Sequence, residues 1–301
     1  MWKVHAALIT VGLIYGANYS IAKWVMPNFI EANGFILLRI LGAFLFITVL
    51  QQTRIREKIT DKGDLLRLLL CAIFGVAGNM LFFFNGLKLT SPINASVIMT
   101  INPLLVLLFS TMLLKERVTW LKVAGITIGM IGAVMQIIDP FNVGKKVESV
   151  NWLGDLFVMV NASFYAVYLV LVKPLMAKYH PLTVVRYTFS IGLIMVLPFG
   201  FSDLVKVQWH SITPEIASSL LFVVVGTTIM AYLLNAWALK HVNSTTVGAY
   251  IYLQPLFAAV IAIGLANYKA TWHMLVYALL IFIGVFMVNF ANGGKKGVLN
   301  G

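Results

Sequence analysis

Apolar residues in this chain come in long uncharged runs separated by short charged stretches, and one such run extends from Leu89 to Leu114. A hydrocarbon core about 30 Å thick requires roughly 17 to 25 apolar residues of a helix that crosses it. Ten windows of this kind are predicted: Val4–Ala22, Phe35–Val49, Leu68–Leu87, Pro92–Leu114, Val123–Ile138, Leu156–Val172, Val184–Phe201, Ile216–Leu239, Thr245–Ala266 and Met274–Ala291. The second and fifth are short. The first is read as a true span and not a cleaved signal peptide, because the second follows after about a dozen residues and no extracellular domain comes after it.

The composition agrees with this pattern. Of 301 residues, 60% are hydrophobic and 11% charged, too apolar for a soluble domain. A net charge of +12 raises nucleic acid as a partner, but the placement of the charges points elsewhere. With a cytoplasmic N-terminus, fourteen Lys and Arg fall in inside segments and six in outside ones, a bias that orients a membrane protein with both termini in the cytoplasm. Trp2, Trp24, Trp120, Trp152 and Trp272 flank spans, at headgroup level. The lone cysteine, Cys71, excludes an intrachain disulfide.

The chain is internally duplicated. A shift of 152 lays Pro103 on Pro255, Trp120 on Trp272 and Gly132 on Gly284. Shifts of 150 and 147 lay Lys23 on Lys173 and Arg39 on Arg186. Each half holds five spans, and an odd number makes the second copy enter the bilayer from the opposite side. The expected fold is therefore an all-α integral membrane protein, ten transmembrane helices arranged as two inverted five-helix repeats. The expected organisation is a first repeat at 1–140, an extracellular linker at 141–150, a second repeat at 151–292 and a cytoplasmic tail at 293–301.

The stretch GLKLTSPINASVIMTINPLLVLLFSTMLLKERVTWLKVAGITIGMIGAVM, Gly86 to Met135, closely resembles the EamA repeat of the drug/metabolite transporter superfamily. It carries Lys-Glu-Arg at 115–117, where that family usually has Gly-Glu-Arg. The resemblance covers essentially the whole chain. It implies export or exchange of small metabolites, often amino acids, by alternating access across a bacterial inner membrane. In the second half the acid is missing, since Glu116 falls on Tyr268.

Candidate site residues follow from the prolines. Pro103 and Pro255 interrupt two spans at matching places, each freeing a helix carbonyl that must face protein, water or a cavity. Such paired breaks point to a site near the bilayer midplane. The amides just before them, Asn102 and Gln254, are candidates to contact a ligand or to satisfy local groups. Asn161, Tyr165 and Tyr168 share a helical stripe, as do Tyr15 with Asn18 or Tyr19, Asn79 with Phe83, Tyr232 with Asn235, and Tyr250 with Gln254. Asn94 aligns with Thr246. Together these define an expected central cavity, although any one Asn or Tyr equally well makes an interhelical hydrogen bond of about 0.6–2 kcal/mol. Gly12 with Gly16, and Gly125 with Gly129, predict close helix packing within the monomer or between copies.

Two cations are expected at each entrance, Lys23 and Arg39 outside, Lys173 and Arg186 inside. Buried positive charge favours carboxylate-bearing substrates. No acid lies well inside a span, so nothing supports a carboxylate proton relay. The histidines sit at span ends or in loops without a paired nucleophile or acid at depth, which argues against an enzyme. A channel or lipid-handling scaffold shares the composition and stays open as an alternative. The expected partners are a small-molecule substrate and membrane lipid, without nucleic acid, cofactor or metal, in a monomer or homodimer.

Overall fold

A computed structural model of the chain describes residues 2–55, 57–90, 92–138, 151–266 and 272–293. The expected linker at 141–150 and residues 294–301 of the expected tail lie outside the described residues. Every element among the described residues is helical. The first half contains α1 (Trp2–Val25), α2 (Ala32–Arg54), α3 (Lys62–Ala72), α4 (Gly78–Leu89), α5 (Pro92–Met99), α6 (Asn102–Leu114) and α7 (Trp120–Ile138). The second contains α8 (Trp152–Lys178), α9 (Pro181–Val205), α10 (Pro214–Leu221), α11 (Ala231–Leu239), α12 (Ser244–Ala249), α13 (Leu253–Ala266) and α14 (Trp272–Gly293).

Helices are what a lipid solvent permits, because they satisfy their backbone polar groups internally. Their starts carry local signals. Asp61 and Asn151 accept hydrogen bonds from first-turn amides of α3 and α8. Pro181 and Pro214 stand in the first turn of α9 and α10, where no amide hydrogen is needed. Seven helical stretches among the described residues are long and apolar enough to cross a membrane, and Trp120–Met135 and Leu275–Ala291 are shorter apolar helices. The second stretch runs over Ala32–Thr53, beyond its expected end. In its polar tail Gln51 Nε2 donates to the Glu57 carbonyl at 3.0 Å, tying the segment after α2 back onto the helix.

The close packing expected of the glycines occurs inside the chain. A Cβ on Gly284 would stand 2.5 Å from the Gly125 carbonyl oxygen and 2.6 Å from the Gly129 nitrogen, so α7 and α14 touch through backbone. Likewise a Cβ on Gly16 would meet the Gln254 carbonyl oxygen at 2.7 Å, where α1 crosses α13. Small residues that admit such approach replace the hydrophobic drive that lipid cannot supply.

Two π-helical segments break the regular α-helix. Ile73–Ala77 joins α3 to α4, and Phe222–Met230 joins α10 to α11. Periodicity did not predict them, although they fall at matching places in the two halves.

In the first turn of α3, Asp64 accepts from Lys178 Nζ at 3.0 Å and from the Tyr179 hydroxyl at 2.9 Å, tying the start of α3 to the end of α8. The hydrogen bond to the Asp64 carboxylate holds the Tyr179 phenol above its ordinary range.

Lys115, in the Lys-Glu-Arg triplet, caps α6 with φ 52°. A left-handed backbone costs an L-residue about 1–2 kcal/mol, and glycine recovers only part of this because its unfolded chain is freer. Lys115→Gly is therefore expected to stabilise the protein by about 0.5–1 kcal/mol, read as a higher unfolding temperature in detergent. A lower temperature would show that the Lys115 side chain matters more than its backbone.

Candidate functional site

The two prolines do interrupt their helices. Between α5 and α6 the chain tightens, with Thr100 N donating to the Val97 carbonyl at 3.0 Å and Ile101 N to that of Ile98 at 3.1 Å. Between α12 and α13 a 3-10 turn occupies Tyr250–Tyr252. The missing amide hydrogen of each proline makes the regular ladder impossible at these points.

Around the breaks the helices enclose a cavity of about 70 Å³. Tyr15, Asn18 and Tyr19 of α1 line one side, and Asn79, Met80, Phe83 and Phe84 of α4 another. Met99, Asn161, Tyr165, Tyr232 and Gln254 complete the wall with Arg39. The volume is well below the roughly 300–1,000 Å³ of pockets for drug-sized ligands, so the space suits a small metabolite. A narrow crevice of about 10 Å³ shares Tyr15, Tyr165 and Gln254 with it and runs on to Tyr250. The Tyr250 hydroxyl is held by His5 Nδ1 at 2.5 Å and by Asn289 Nδ2 at 3.3 Å.

The wall is braced by its own polar groups. The Tyr19 hydroxyl donates to Gln254 Oε1 at 3.3 Å, Asn161 Nδ2 to the Asn79 carbonyl at 2.8 Å, and the Tyr232 hydroxyl to the Gly75 carbonyl at 2.6 Å. Asn235 Nδ2 donates to the Tyr165 hydroxyl at 3.1 Å. These bonds fix which end of each amide is free. Asn18 Oδ1 and Asn161 Oδ1 are buried acceptors without a protein partner among the described residues.

Arg39 dominates the electrostatics. It is only 3% exposed, and its guanidinium lies 4.5 Å from the Phe84 ring centroid. Nε donates to Thr228 Oγ1 and Nη2 to Thr227 Oγ1, both at 3.0 Å, while Nη1 is buried without a partner. No Asp or Glu stands among the cavity-lining residues described. A buried guanidinium without a counter-ion is costly, and it creates a site for an anion.

The sequence-based site therefore needs correction at several places. Arg39, expected at an outer entrance, belongs to the cavity wall, because α2 begins at Ala32 and buries it beneath Phe84. Asn102, expected in the cavity, turns its amide to the Ala162 carbonyl at 2.7 Å, since the break before α6 resets the helix face. Tyr168 lies behind the wall, its ring packed so closely on Gly75 that a Cβ there would stand 2.1 Å from Tyr168 Cδ2. Asn235 and Tyr250 line the crevice and not the main cavity. The side chain of Asn94 lies outside the described residues.

Lys23 and Lys173 stand at helix ends but are committed to main-chain carbonyls. Lys23 Nζ donates to those of Leu87, Lys88 and Thr90, and Lys173 Nζ to those of Leu239 and Val242. Each caps the last turn of a helix in its own half, where a cation is favourable. Arg186 Nη1 donates to Gln51 Oε1 at 2.7 Å, joining α9 to α2. Tyr19, the alternative to Asn18 as the partner of Tyr15, lines the wall together with Asn18. Sequence reasoning missed Met80, Phe84 and Met99. No group of three or more His, Cys, Asp or Glu among the described residues is placed to hold a metal.

The amides now separate. Gln254→Leu is expected to raise the KM of transport several-fold with little loss of stability, since it alters the cavity wall. Asn102→Leu is expected to lower stability by about 0.6–2 kcal/mol through loss of one interhelical hydrogen bond, with KM near its original value. Transport assays paired with detergent unfolding curves distinguish the two, and a KM effect at Asn102 would contradict its placement.

An all-helical, multi-pass membrane protein built around a small cavity, with a few polar side chains in a mostly apolar wall, fits the class of membrane transporters. The comparisons make this specific. The model of the EamA-like transporter family matches residues 2–138 and again 152–290, and the chain belongs to that family. An uncharacterized transporter of Archaeoglobus fulgidus is 30% identical over 229 residues, covering 75% of this chain and 76% of that protein. A protein described as a probable terminal-alkyne amino-acid exporter of Streptantibioticus cattleyicolor is 25% identical over 236 residues, 77% of this chain and 76% of its own length. A solved crystal structure at 17% identity superposes with a TM-score of 0.74 over 96% of this chain and 98% of that one, which shows a shared fold.

Proposed function

We propose that the protein is a secondary transporter that moves small carboxylate-bearing metabolites, amino acids or related compounds, outward across a bacterial inner membrane by alternating access. The chain crosses the bilayer ten times as two inverted five-helix repeats, with both termini cytoplasmic. Arg39 is the observation that carries this: a buried guanidinium in a small central cavity, with one nitrogen unpaired and no acid among the lining residues described. A ligand carboxylate supplies the missing partner, and a charge-assisted hydrogen bond of this kind is worth about 1.5–3 kcal/mol. The aromatic rings and methionines around it accommodate the rest of a small molecule.

The exporter relative supports an amino-acid-like cargo. Alternating access is supported by the crevice that shares Tyr15, Tyr165 and Gln254 with the cavity and includes Tyr250, whose hydroxyl His5 and Asn289 hold. The paired breaks at Pro103 and Pro255 supply bending points in each half.

Purified protein in liposomes tests the carrier reading. Flux of a mixture of the twenty standard amino acids is expected to saturate with concentration and to accelerate when substrate is present on the opposite side. Flux that grows linearly without such acceleration would identify a channel instead.

A further inference from the structure

The seat of Arg39 is made by the π-helical segment Phe222–Met230. Consecutive residues of an α-helix point about 100° apart and do not converge on one target. Here they do, because the wider turn brings two neighbours together. The hydroxyls of Thr227 and Thr228 both donate to the Val223 carbonyl, at 2.7 and 2.8 Å. With their protons so placed, both oxygens are left as acceptors.

They receive Arg39 Nη2 and Nε at 3.0 Å each. One edge of the guanidinium fork is thereby fixed, and the Phe84 ring covers a face at 4.5 Å. The remaining nitrogen, Nη1, is the donor left for a ligand. All three groups are buried, Thr227 and Thr228 completely. The other half of the chain has no such seat. A shift of 152 brings Gly75 and Val76 onto these threonines, and neither carries a hydroxyl.

We propose that Thr227 and Thr228 are positioning residues that aim Arg39 at the carboxylate of the cargo and so set the selectivity for carboxylates. This rests on the reading of Arg39 as the anion anchor. The threonines need not touch cargo. They hold the planar guanidinium in one orientation, so less freedom is lost when the carboxylate binds.

The test is competitive efflux from liposomes loaded with the twenty standard amino acids and, separately, with their carboxamides, measured by mass spectrometry. The wild-type protein is expected to export the acids at least about tenfold faster than the amides. Replacing both threonines by valine is expected to raise KM for the acids about tenfold, because the guanidinium is no longer held in one orientation, with the maximal rate little changed. The acid-to-amide ratio falls towards one, and serine at both positions restores it. Thr228→Val alone, which leaves the Thr227 contact, gives an intermediate ratio and serves if the double variant fails to fold.

An unchanged ratio in the valine variants, with a collapsed ratio in Arg39→Gln, overturns the positioning role and leaves the anchor standing. A ratio near one in the wild-type protein overturns both. A fall in maximal rate at constant ratio assigns the threonines to helix structure alone, and the proposal fails.

Discussion

Arg39→Gln is expected to lower transport of a carboxylate substrate, at concentrations well below KM, by roughly 10- to 150-fold. This is the loss of a charge-assisted hydrogen bond worth about 1.5–3 kcal/mol. Glutamine retains a donor that can still reach a threonine hydroxyl, so folding should survive. The Phe84 face that now covers the guanidinium would lose its cation, a smaller effect. Arg39→Lys is expected to recover only part of the activity. An ammonium cannot occupy both threonines and a carboxylate with the geometry of a planar fork. Equal losses for the acids and their carboxamides would show that Arg39 holds helices together and does not read cargo.

The second large effect lies far from the cavity. A Cβ on Gly284 would meet only backbone atoms, the Gly125 oxygen at 2.5 Å and the Gly129 nitrogen and Cα at 2.6 and 2.7 Å. No rotamer change can relieve this, so α7 and α14 must separate. Overpacking of this kind costs about 1–3 kcal/mol for one methyl group, and Gly284→Val should cost more because it adds a branched side chain. The expected result for Gly284→Ala is a clearly lower denaturation midpoint in detergent, with KM unchanged in the folded fraction. An unaltered midpoint would mean that the two helices pack less tightly than their backbone distances imply.

These two sites differ in how far the sequence disclosed them. Gly125 and Gly129 were legible, because small residues at helical spacing in a lipid environment have few other uses, whereas their partner Gly284 stood out only as the repeat counterpart of Gly132. The apolar runs were legible for the same kind of reason, as were the helix breaks at Pro103 and Pro255. Arg39 was visible as an intramembrane cation set deeper than the lysines, but its place in the cavity wall was not. Counting from the edge of an apolar window cannot reveal that a ring from α4 closes over the side chain. Asn102 was open to either of two roles, and its position just before Pro103 could not tell a ligand contact from the bond to the Ala162 carbonyl that its amide makes. The π-helical segments left no trace, since a shift from i−4 to i−5 bonding demands no special residue. Thr227 and Thr228 therefore looked like ordinary span residues, and the seat they form exists only once the turn widens.

Lys23 and Lys173 have a consequence of their own. Thr90, a partner of Lys23, bonds Asp155 at the start of α8, while Lys173 sits eighteen residues further along that helix, about 27 Å away at its usual rise. The two fastenings thus lie near opposite surfaces of the bilayer. Each grips main-chain oxygens, which neither acid nor salt can neutralise as they would a carboxylate partner. The grip on these oxygens needs no titrating partner, and through it the ends of α4 and α11 stay tied to α1 and α8.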